Sequence, residues 1–395
     1  MQLFIASFGD SGNSRIFHQK MKITVLGAGL VGRAIISDLA SDDAFEVEAA
    51  DNNEKRLNQL PENVLTHLTD LSQKTNLEKI IRDAEMVVNA VPGSMGFRIL
   101  KNGIEQGKNV VDIAFFPEDM FSLNKLAVEK EVTVICDMGV APGMSNILAT
   151  DAVKGMEQVD DVMIYVGGLP VIREKPYEYK APFSPADVLE EYTRPARLKE
   201  NGWVVAKEPL TDYEWLFFDN VGTLEAFNTD GLRSLLDAIP ARNMKEKTLR
   251  YPGYCEKIQL LKQTGFFEEE PVDVAGQQVS PIELTSHLLF PLWELKEGEK
   301  DLTVMRVIAE GQKEGKPRQV RWDLYDTYDD KTGFHSMART TGYAATAAVR
   351  LVASGRYKET GVSAPESLAK DEKNVAFILD ELQARNVVFT RRQSR

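Results

Sequence analysis

The chain has little cysteine. Only Cys136 and Cys255 occur among its 395 residues, and neither has a neighbouring His or Cys at metal-ligand spacing. Two such isolated cysteines indicate reduced thiols, which are typical of proteins in a reducing compartment, and they offer no zinc ligand set. The sequence therefore predicts a cytoplasmic protein without a bound metal.

Long apolar runs and long basic runs are also missing. No segment approaches the ~18 apolar residues that a membrane span needs, and the opening MQLFIASF is too short for a signal-peptide core. Because Met21 directly precedes the first strand pattern, residues 1–20 are predicted to be a disordered leader, and the alternative is that they result from an upstream start site. The net charge is −13, so the chain lacks the excess of basic residues that binding to nucleic acid or to an anionic membrane requires. Neither is predicted as a partner.

Several catalytic motifs are absent. No tyrosine is followed four residues later by lysine, which disfavours the short-chain dehydrogenase arrangement, and H-E-x-x-H, C-x-x-C and G-x-S-x-G do not occur. The four histidines are scattered and are interpreted as structural: His18, His67, His287 and His335. Zinc and serine catalysis therefore have no support.

What is present is an alternation of strand and helix patterns over the first third of the chain. Six apolar strand-like runs are separated by segments with i, i+3, i+4 apolar spacing: Lys22–Leu26, Phe45–Asp51, Asn63–Asp70, Met86–Pro92, Asn109–Ala114 and Val132–Gly139. This order predicts an α/β fold with a doubly wound parallel sheet. From about Ala149 longer mixed segments indicate a second, α+β domain, and two helical patterns close the chain. The predicted units are 21–148, 149–335 and 336–395.

The first strand leads into a glycine-rich turn, Gly27-Ala28-Gly29-Leu30-Val31-Gly32. Between a strand and a helix, G-x-G-x-x-G predicts a dinucleotide site, with the pyrophosphate at the helix N-terminus. Asp51 ends the second strand, where a carboxylate accepts the ribose hydroxyls and repels a 2′-phosphate, so NAD is predicted as the cofactor. Two alternatives stay open: Asp51 only caps the next helix, or Lys55 and Arg56 accept a phosphate.

Further cofactor contacts are predicted where parallel strands end, because ligands bind beyond the carboxyl ends of such strands. These positions are Asp70, Ala90, Val91 and Pro92. The turn Gly139–Gly143 presents backbone amides to an anion or the nicotinamide, or else forms only a corner between domains. Arg250 precedes a Pro-Gly turn in an apolar region, where its guanidinium holds a substrate carboxylate or pairs with a buried acid.

Six separated motifs resemble the saccharopine dehydrogenase-like family, most closely its lysine 6-dehydrogenase branch. In chain order they are LGAGLVGRAI, DMGVAPGMSN, YVGGLPV, LEAFNTDG, TLRYPGY with the following EKI, and GYAATAA. The resemblance covers residues 21–386. It implies a Rossmann domain completed by C-terminal helices, with an inserted α+β domain for substrate binding and dimerisation, and therefore a homodimer.

The resemblance also implies residue roles. Thr248, Leu249 and Arg250 correspond to the family's TLR segment, which contacts a substrate carboxylate, and Asn228 and Asp230 belong to a second substrate-binding segment. Saccharopine reductases carry GLDPG and NRD in these two regions, whereas this chain has Ala141 in GVAPG and Thr229 in NTD. An acidic and a basic group of the saccharopine site are therefore missing, which favours a substrate with one carboxylate.

The implied reaction is NAD-dependent oxidation of L-lysine at C6, release of ammonia and cyclisation of 2-aminoadipate 6-semialdehyde to piperideine-6-carboxylate. The general base is not assigned, and the candidates are Asp112, Glu118 and Asp137, for each of which a cap or ion-pair role is the alternative. Two other functions stay open: a saccharopine-forming or saccharopine-cleaving oxidoreductase, and a module that senses NAD(H) without turnover.

Overall fold

The computed structural model describes residues 20–181, 185–296 and 298–394, without the side chains of 185–187. The predicted leader, apart from Lys20, lies outside the described residues. Among these residues no helix combines the length and the apolar character needed to cross a bilayer.

The N-terminal part forms a parallel sheet. Its strands are β1 (Met21–Leu26), β2 (Phe45–Asp51), β3 (Leu65–Leu68), β4 (Met86–Asn89), β5 (Asn109–Asp112) and β6 (Thr133–Ile135). The connecting helices are α1 (Leu30–Ala40), α2 (Glu54–Leu57), α3 (Lys74–Ile81), α4 (Gly93–Glu105) and α5 (Asn124–Glu129), the last preceded by a 3₁₀ turn at Met120–Leu123. The strand order β6-β5-β4-β1-β2-β3 reverses between β1 and β4, which creates the crevice where doubly wound sheets bind ligands.

The second sheet begins after α6 (Met144–Val153) and is mixed. Its strands are β7 (Gln158–Pro170), β8 (Ala196–Glu200), β9 (Trp203–Lys207), β10 (Glu214–Phe218), β11 (Gly222–Asn228), β12 (Asn243–Arg250), β15 (Asp301–Lys313) and β16 (Lys316–Thr327), with a separate hairpin of β13 (Val272–Val274) and β14 (Gln277–Val279). Its helices are α7 (Pro185–Thr193), α8 (Leu235–Ala238), α9 (Tyr254–Gln263) and α10 (Pro281–Trp293). β12 pairs with β7 in parallel and with β11 antiparallel.

The C-terminal segment ties the two sheets together. It consists of α11 (Ser336–Ala353), β17 (Gly361–Ser363), α12 (Pro365–Leu368), α13 (Glu372–Ala384) and β18 (Phe389–Ser394). The predicted α/β class and the returning helices are confirmed. The sequence pattern did not predict the two short strands: β17 adds a seventh parallel strand beside β6, and β18 pairs with β16 of the mixed sheet.

Helix α11 returns the chain to the first sheet by packing against α1. A Cβ added at Gly342 would lie only 3.2 Å from Ile35 Cγ1, so the small residues of GYAATAA allow the close approach of the two helices. At the other end of α11, Arg350 Nη1 donates to Asp38 Oδ2 at 2.7 Å and Arg385 Nε donates to Asp38 Oδ1 at 2.6 Å. These contacts fix the C-terminal helices to α1.

Candidate active site

A cavity of about 1240 Å³ lies between the two sheets. One wall is the edge of the parallel sheet where β1 and β4 end, and the other is formed by β7, β12 and the segment after β11. Its lining includes Gly27–Arg33, Asp51, Ala90–Gly93, Asp137, Gly139–Pro142, Thr229–Gly231, Glu246, Thr248 and Arg250. The cavity is large enough for a dinucleotide with a small substrate.

The glycine loop is shaped by close backbone contacts. A Cβ at Gly27, where φ is +98°, would lie 2.5 Å from the Ala90 carbonyl oxygen, and one at Gly32 would lie 2.1 Å from the Gly27 carbonyl oxygen. A Cβ at Gly29 would meet no atom within 4 Å, because this residue opens onto the cavity. Leu30 begins α1, and the first turn of this helix lines the same space. These residues fit a dinucleotide pyrophosphate.

Asp51 is buried beside the loop and held by backbone amides. Its Oδ2 accepts a hydrogen bond from Ala28 N at 2.7 Å, and its Oδ1 accepts one from Asn53 N at 2.8 Å. The half-exposed Arg56 places Nη1 3.8 Å from Asp51 Oδ2. A negative and a positive group therefore both line the end of the cavity where the adenosine ribose would lie.

Of the other residues predicted to contact the cofactor, three line the cavity and one does not. Ala90, Val91 and Pro92 line the cavity at the end of β4. Asp70 does not line it: the exposed carboxylate accepts hydrogen bonds from Ser72 N and Ser72 Oγ, both at 2.8 Å, and these bonds lower the pKa of Asp70. Its neighbours make it a turn residue between β3 and α3.

The three candidate bases do not converge on one point. Asp112 is fully buried outside the lining, bound to the Asn89 side chain and to Ala114 N at 2.9 Å, and burial raises the pKa of its carboxyl well above the usual value. Glu118 is exposed and also lies outside the lining. Asp137 does line the cavity, where its Oδ2 accepts a hydrogen bond from Arg233 Nε at 3.0 Å.

The glycine-proline turn after β6 forms part of the cavity wall. Gly143 has φ +130°, and a Cβ there would lie 1.9 Å from the Gly139 carbonyl oxygen, so the turn requires glycine. Gly139 to Pro142 face the cavity. In the first turn of α6, Asn146 Nδ2 donates to Glu366 Oε2 at 3.2 Å, which attaches α6 to α12.

Arg250 is a buried cation on the opposite wall. Its Nη2 donates to Glu191 Oε2 at 3.1 Å and to the hydroxyls of Tyr179 and Tyr192 at 3.3 and 3.4 Å. The guanidinium carbon lies 4.3 Å from the Tyr179 ring centroid, and Nε is buried without a hydrogen-bond partner among the described residues. The guanidinium therefore keeps one donor that no described residue uses, although Arg250 lines the cavity.

Thr229, Glu246 and Thr248 form a connected polar group next to Arg250. Thr229 Oγ1 donates to Glu246 Oε2 at 2.6 Å and lies 2.9 Å from Thr248 Oγ1. Burial raises the pKa of Glu246 to about 8; the hydrogen bond from Thr229 opposes this shift, and the negative charges of Glu191 and Asp230 add to it.

Sequence reasoning missed Glu246, although a signal was present. Side chains two residues apart on a strand share a face, so Glu246, Thr248 and Arg250 point to the same side of β12. The two residues around Thr248 behave differently: Leu249 is buried in the core on the opposite face, outside the cavity lining, and Lys247 Nζ pairs with Glu214 at 2.6 Å.

The remaining predicted substrate residues are also separated. Asp230 lines the cavity and is held by Arg197, whose Nε and Nη2 donate to its two oxygens at 3.0 Å each. Asn228 is buried outside the lining and donates to Thr211 Oγ1 at 3.2 Å and Asp212 Oδ2 at 3.1 Å. The described part of the chain contains no group of three His, Cys, Asp or Glu placed to hold a metal ion.

Two family models match this chain. Residues 23–135 match the saccharopine dehydrogenase NADP binding domain, and residues 139–388 match the saccharopine dehydrogenase C-terminal domain. Together the matches run through both walls of the cavity.

Relatives of known name are distant in sequence. The chain is 23% identical over 450 residues to mitochondrial alpha-aminoadipic semialdehyde synthase of Bos taurus, covering 94% of this chain and 48% of that protein, so it spans about half the length of this relative. It is 21% identical over 427 residues to saccharopine dehydrogenase (NADP(+), L-glutamate-forming) of Schizosaccharomyces pombe, covering 88% of this chain and 94% of that one.

Among solved structures, the chain is similar to apo saccharopine dehydrogenase (L-Glu forming) from Saccharomyces cerevisiae. The TM-score is 0.78 at 19% identity, with 95% of this chain and 100% of the yeast chain covered. At this identity the likeness concerns the fold.

Proposed function

The chain belongs to the saccharopine dehydrogenase family, and from this premise we propose that it is an NAD-dependent oxidoreductase that removes the ε-amino group of L-lysine. The products are 2-aminoadipate 6-semialdehyde, which cyclises to piperideine-6-carboxylate, and ammonia. The proposal depends on the charges of the substrate side of the cavity and on the residues around the adenosine end.

The observation that carries the proposal is the hydrogen bond from Thr229 to Glu246. Where the resemblance leads one to expect a basic residue for saccharopine, this chain has a hydroxyl group that donates to a buried carboxylate at 2.6 Å. None of the described residues gives Glu246 an ion-pair partner. A negative site of this kind favours a substrate amine and repels a second substrate carboxylate.

The rest of the substrate side has more acidic than basic residues, and the basic ones besides Arg250 are Arg194 and Lys296. The carboxylates on the substrate side are Glu190, Glu191, Asp230, Glu246 and Glu294. Arg250 provides the complementary cation, and its guanidinium would bind the α-carboxylate of lysine through Nε and the N–H groups now shared with Glu191. One buried guanidinium facing several acids suits a diamino monocarboxylate.

We propose NAD as the cofactor because Asp51 is fixed. Two backbone N–H groups hold its carboxylate where it would accept ribose hydroxyl protons and repel a 2′-phosphate. When bound, the nicotinamide accepts the hydride that leaves C6 of the substrate. The protein's own part is to bind the pyrophosphate at Gly29, orient the substrate at Arg250 and remove a proton from the amine.

A second candidate is a saccharopine dehydrogenase that uses NADP. The name of the fission yeast relative favours it, and Arg56 stands 3.8 Å from Asp51, where a 2′-phosphate would meet a positive charge. Arg194 also lines the cavity and would offer a further carboxylate contact.

We also propose a homodimer formed through the mixed sheet. β10 is an edge strand of that sheet, and Trp215 and Phe217 on one of its faces are 62% and 63% exposed. Unpaired edges with exposed aromatic residues favour pairing with a second copy about a two-fold axis. Trp215→Glu is expected to convert a dimer into a monomer in light scattering, and a wild-type monomer would contradict the proposal.

The activity test is initial NADH formation with L-lysine or saccharopine, with NAD or NADP, from pH 7 to 11. An unperturbed ε-ammonium titrates near ~10.4, so oxidation of lysine should rise from pH 7 to an alkaline maximum with ammonia among the products. Faster oxidation of saccharopine, or consumption of NADH with lysine and 2-oxoglutarate, would favour the second candidate. Cofactor binding without turnover of any amine would indicate a sensing module.

A further inference from the structure

We propose that Glu246 is the general base of the reaction, which accepts the proton of the substrate's reacting ammonium, and that Thr229 and Gly231 hold its carboxylate in place for this step. The inference rests on the proposed function, since it assigns the base for oxidation of an amine. It replaces the three candidates that the sequence offered.

The first support is the position of Glu246 in the cavity. Its carboxylate packs against Gly231, where an added Cβ would lie 2.5 Å from Glu246 Cδ, so a side chain at this position would displace the carboxylate. Two residues further on, Arg233 binds Asp137 at 3.0 Å and lies 4.8 Å from the Phe115 ring centroid. Asp137 and Phe115 belong to the parallel-sheet wall. Glu246 is thereby tied to the side of the cavity that would hold the cofactor.

The second support is the separation of Glu246 from Arg250. Four residues along a strand span about 13 Å at ~3.3 Å per residue, and both side chains are on the same face. This distance matches the two ends of an extended lysine with a hydrogen bond at each end. Arg250 would then bind the α-carboxylate while Glu246 faces the ε-nitrogen.

The third support is the direction of the hydrogen bonds. Thr229 has one hydroxyl proton, and it donates this proton to Glu246 Oε2 at 2.6 Å. In its 2.9 Å contact with Thr229, Thr248 must therefore be the donor while Glu246 is ionised. Both hydroxyls thus point toward the carboxylate, which stabilises its ionised, proton-accepting form.

The charged groups that face Glu246 are acidic. Glu191 of α7 and Asp230 after β11 face it, and Asp230 is itself paired with Arg197 of β8. Among the described residues none forms an ion pair with Glu246. Burial raises its pKa to about 8, so the carboxyl becomes a proton acceptor within the range of pH 7 to 11 over which lysine oxidation is expected to rise.

The proposed step is a single proton transfer. One N–H bond of the ε-ammonium breaks, its proton moves to a Glu246 oxygen, and the electron pair stays on nitrogen. That lone pair would then form the C=N bond of an iminium ion while the hydride passes from C6 to an oxidised nicotinamide cofactor. Hydrolysis of the imine uses one water and releases ammonia, and Glu246 returns the proton to solvent.

The test compares Glu246→Gln with the wild type for lysine oxidation between pH 7 and 11. In the wild type we expect kcat/KM to rise with an apparent pKa near 8. Glutamine cannot accept the proton, so the variant should lose about 100-fold or more in kcat at pH 8. Its activity should then follow the substrate ammonium itself, with a rising limb near ~10.4. Affinity for NADH, measured by fluorescence, should stay unchanged.

Glu246→Asp is the second variant, and Glu256→Gln on the exposed face of α9 is the matched control. Aspartate keeps an ionisable group but withdraws it by one methylene, so the rising limb should remain while kcat falls about 10-fold or more. The control should match the wild type. The role of Glu246 as the base would be rejected if Glu246→Gln kept a near-normal kcat and an unshifted rise of activity with pH. It would also be rejected if Glu246→Asp lost that rise. Either outcome would leave the proposed function standing. A wild type that oxidises saccharopine but not lysine would overturn the proposed function together with the role of Glu246.

Discussion

The two walls of the cavity are built from different parts of the chain. On the parallel-sheet side, the wall consists mainly of backbone atoms, which belong to the loop Gly27–Gly32 and the first turn of α1. One of its carboxylates, Asp51, is held by two backbone N–H groups. On the mixed-sheet side, the wall consists of side chains from α7, β12 and the segment after β11, which are Glu191, Thr229, Glu246, Thr248 and Arg250.

This difference shows how each wall should respond to substitution. A wall made of backbone depends on the absence of side chains, because any Cβ enters the space of a carbonyl or of the ligand. A wall made of charged side chains depends on ionisation, and burying such groups costs stability while it creates reactivity. Substitutions on the two sides should therefore separate stability, cofactor affinity and pH dependence.

The largest effect is expected at Glu246. Its pKa of about 8 in the folded protein exceeds the ordinary value of 4.5, so the native state binds more protons than the unfolded state between pH 4.5 and 8. The contribution of Glu246 to stability is therefore lost as the pH rises through this window. Glu246→Gln should unfold like the wild type near pH 4.5 and be more stable by a few kcal/mol at pH 9, in urea titrations. An equal free energy of unfolding at pH 9 would contradict the prediction.

The next effect separates two glycines of the backbone wall. Gly32→Ala should lower the free energy of unfolding by about 3 kcal/mol, because the methyl group would lie 2.1 Å from the Gly27 carbonyl oxygen. Gly29→Ala meets no protein atom within 4 Å and should cost less than about 1 kcal/mol. It should nevertheless weaken NADH binding, since its methyl group occupies the approach of the pyrophosphate. Equal melting temperatures for the two variants would argue against this loop geometry.

A third effect concerns the guanidinium of the side-chain wall. Arg250→Lys keeps the charge but cannot reproduce a planar two-point contact with a carboxylate. Since hydrogen bonds to charged groups contribute about 1.5–3 kcal/mol, KM for lysine should rise about 10- to 100-fold while NADH affinity is kept. Arg306→Lys, whose ion pair with Asp323 lies outside the cavity, is the control. An unchanged KM would return Arg250 to a structural role.

The smallest effect is a change in cofactor preference. Asp51→Ala removes the acceptor for ribose hydroxyls and the repulsion of a 2′-phosphate, so NAD should weaken by about 10-fold or more while NADP weakens less. Arg56→Ala should affect NADP only. Equal losses for both cofactors in Asp51→Ala would contradict the role of Asp51, and an NADP preference in the wild type would favour the second candidate function.

The wall on the parallel-sheet side was easier to predict because its residues are close to one another in the sequence. Gly27 to Gly32 are consecutive, and Asp51 follows at the end of the next strand, so motif spacing alone brings them together. Asp70 shows the limit of that reasoning: it too follows a strand of the sheet, but its carboxylate turns back to Ser72 and stays outside the cavity. Whether a strand-end carboxylate faces a ligand depends on the next few dihedral angles.

The candidate base was harder to predict for the opposite reason. Asp112, Glu118 and Asp137 were named because each ends or follows a strand, but Asp112 is bound to Asn89 in the core and Glu118 is exposed. Glu246 was missed because a glutamate between two lysines is typical of a solvent-exposed surface. Its environment comes from Thr229 and Gly231, which are 17 and 15 residues away and reach it only through the pairing of β11 with β12.

What the sequence by itself determined is the alternating strands and helices, the glycine turn and the family to which the chain belongs, because these depend on local periodicity and on residues close in sequence. The tertiary structure decided which carboxylates are buried, which have cation partners, and which face one cavity. Those properties arise from sheet pairing and from the packing of α11 against α1, which bring distant residues together and exclude the water that would otherwise keep each charge at its ordinary pKa.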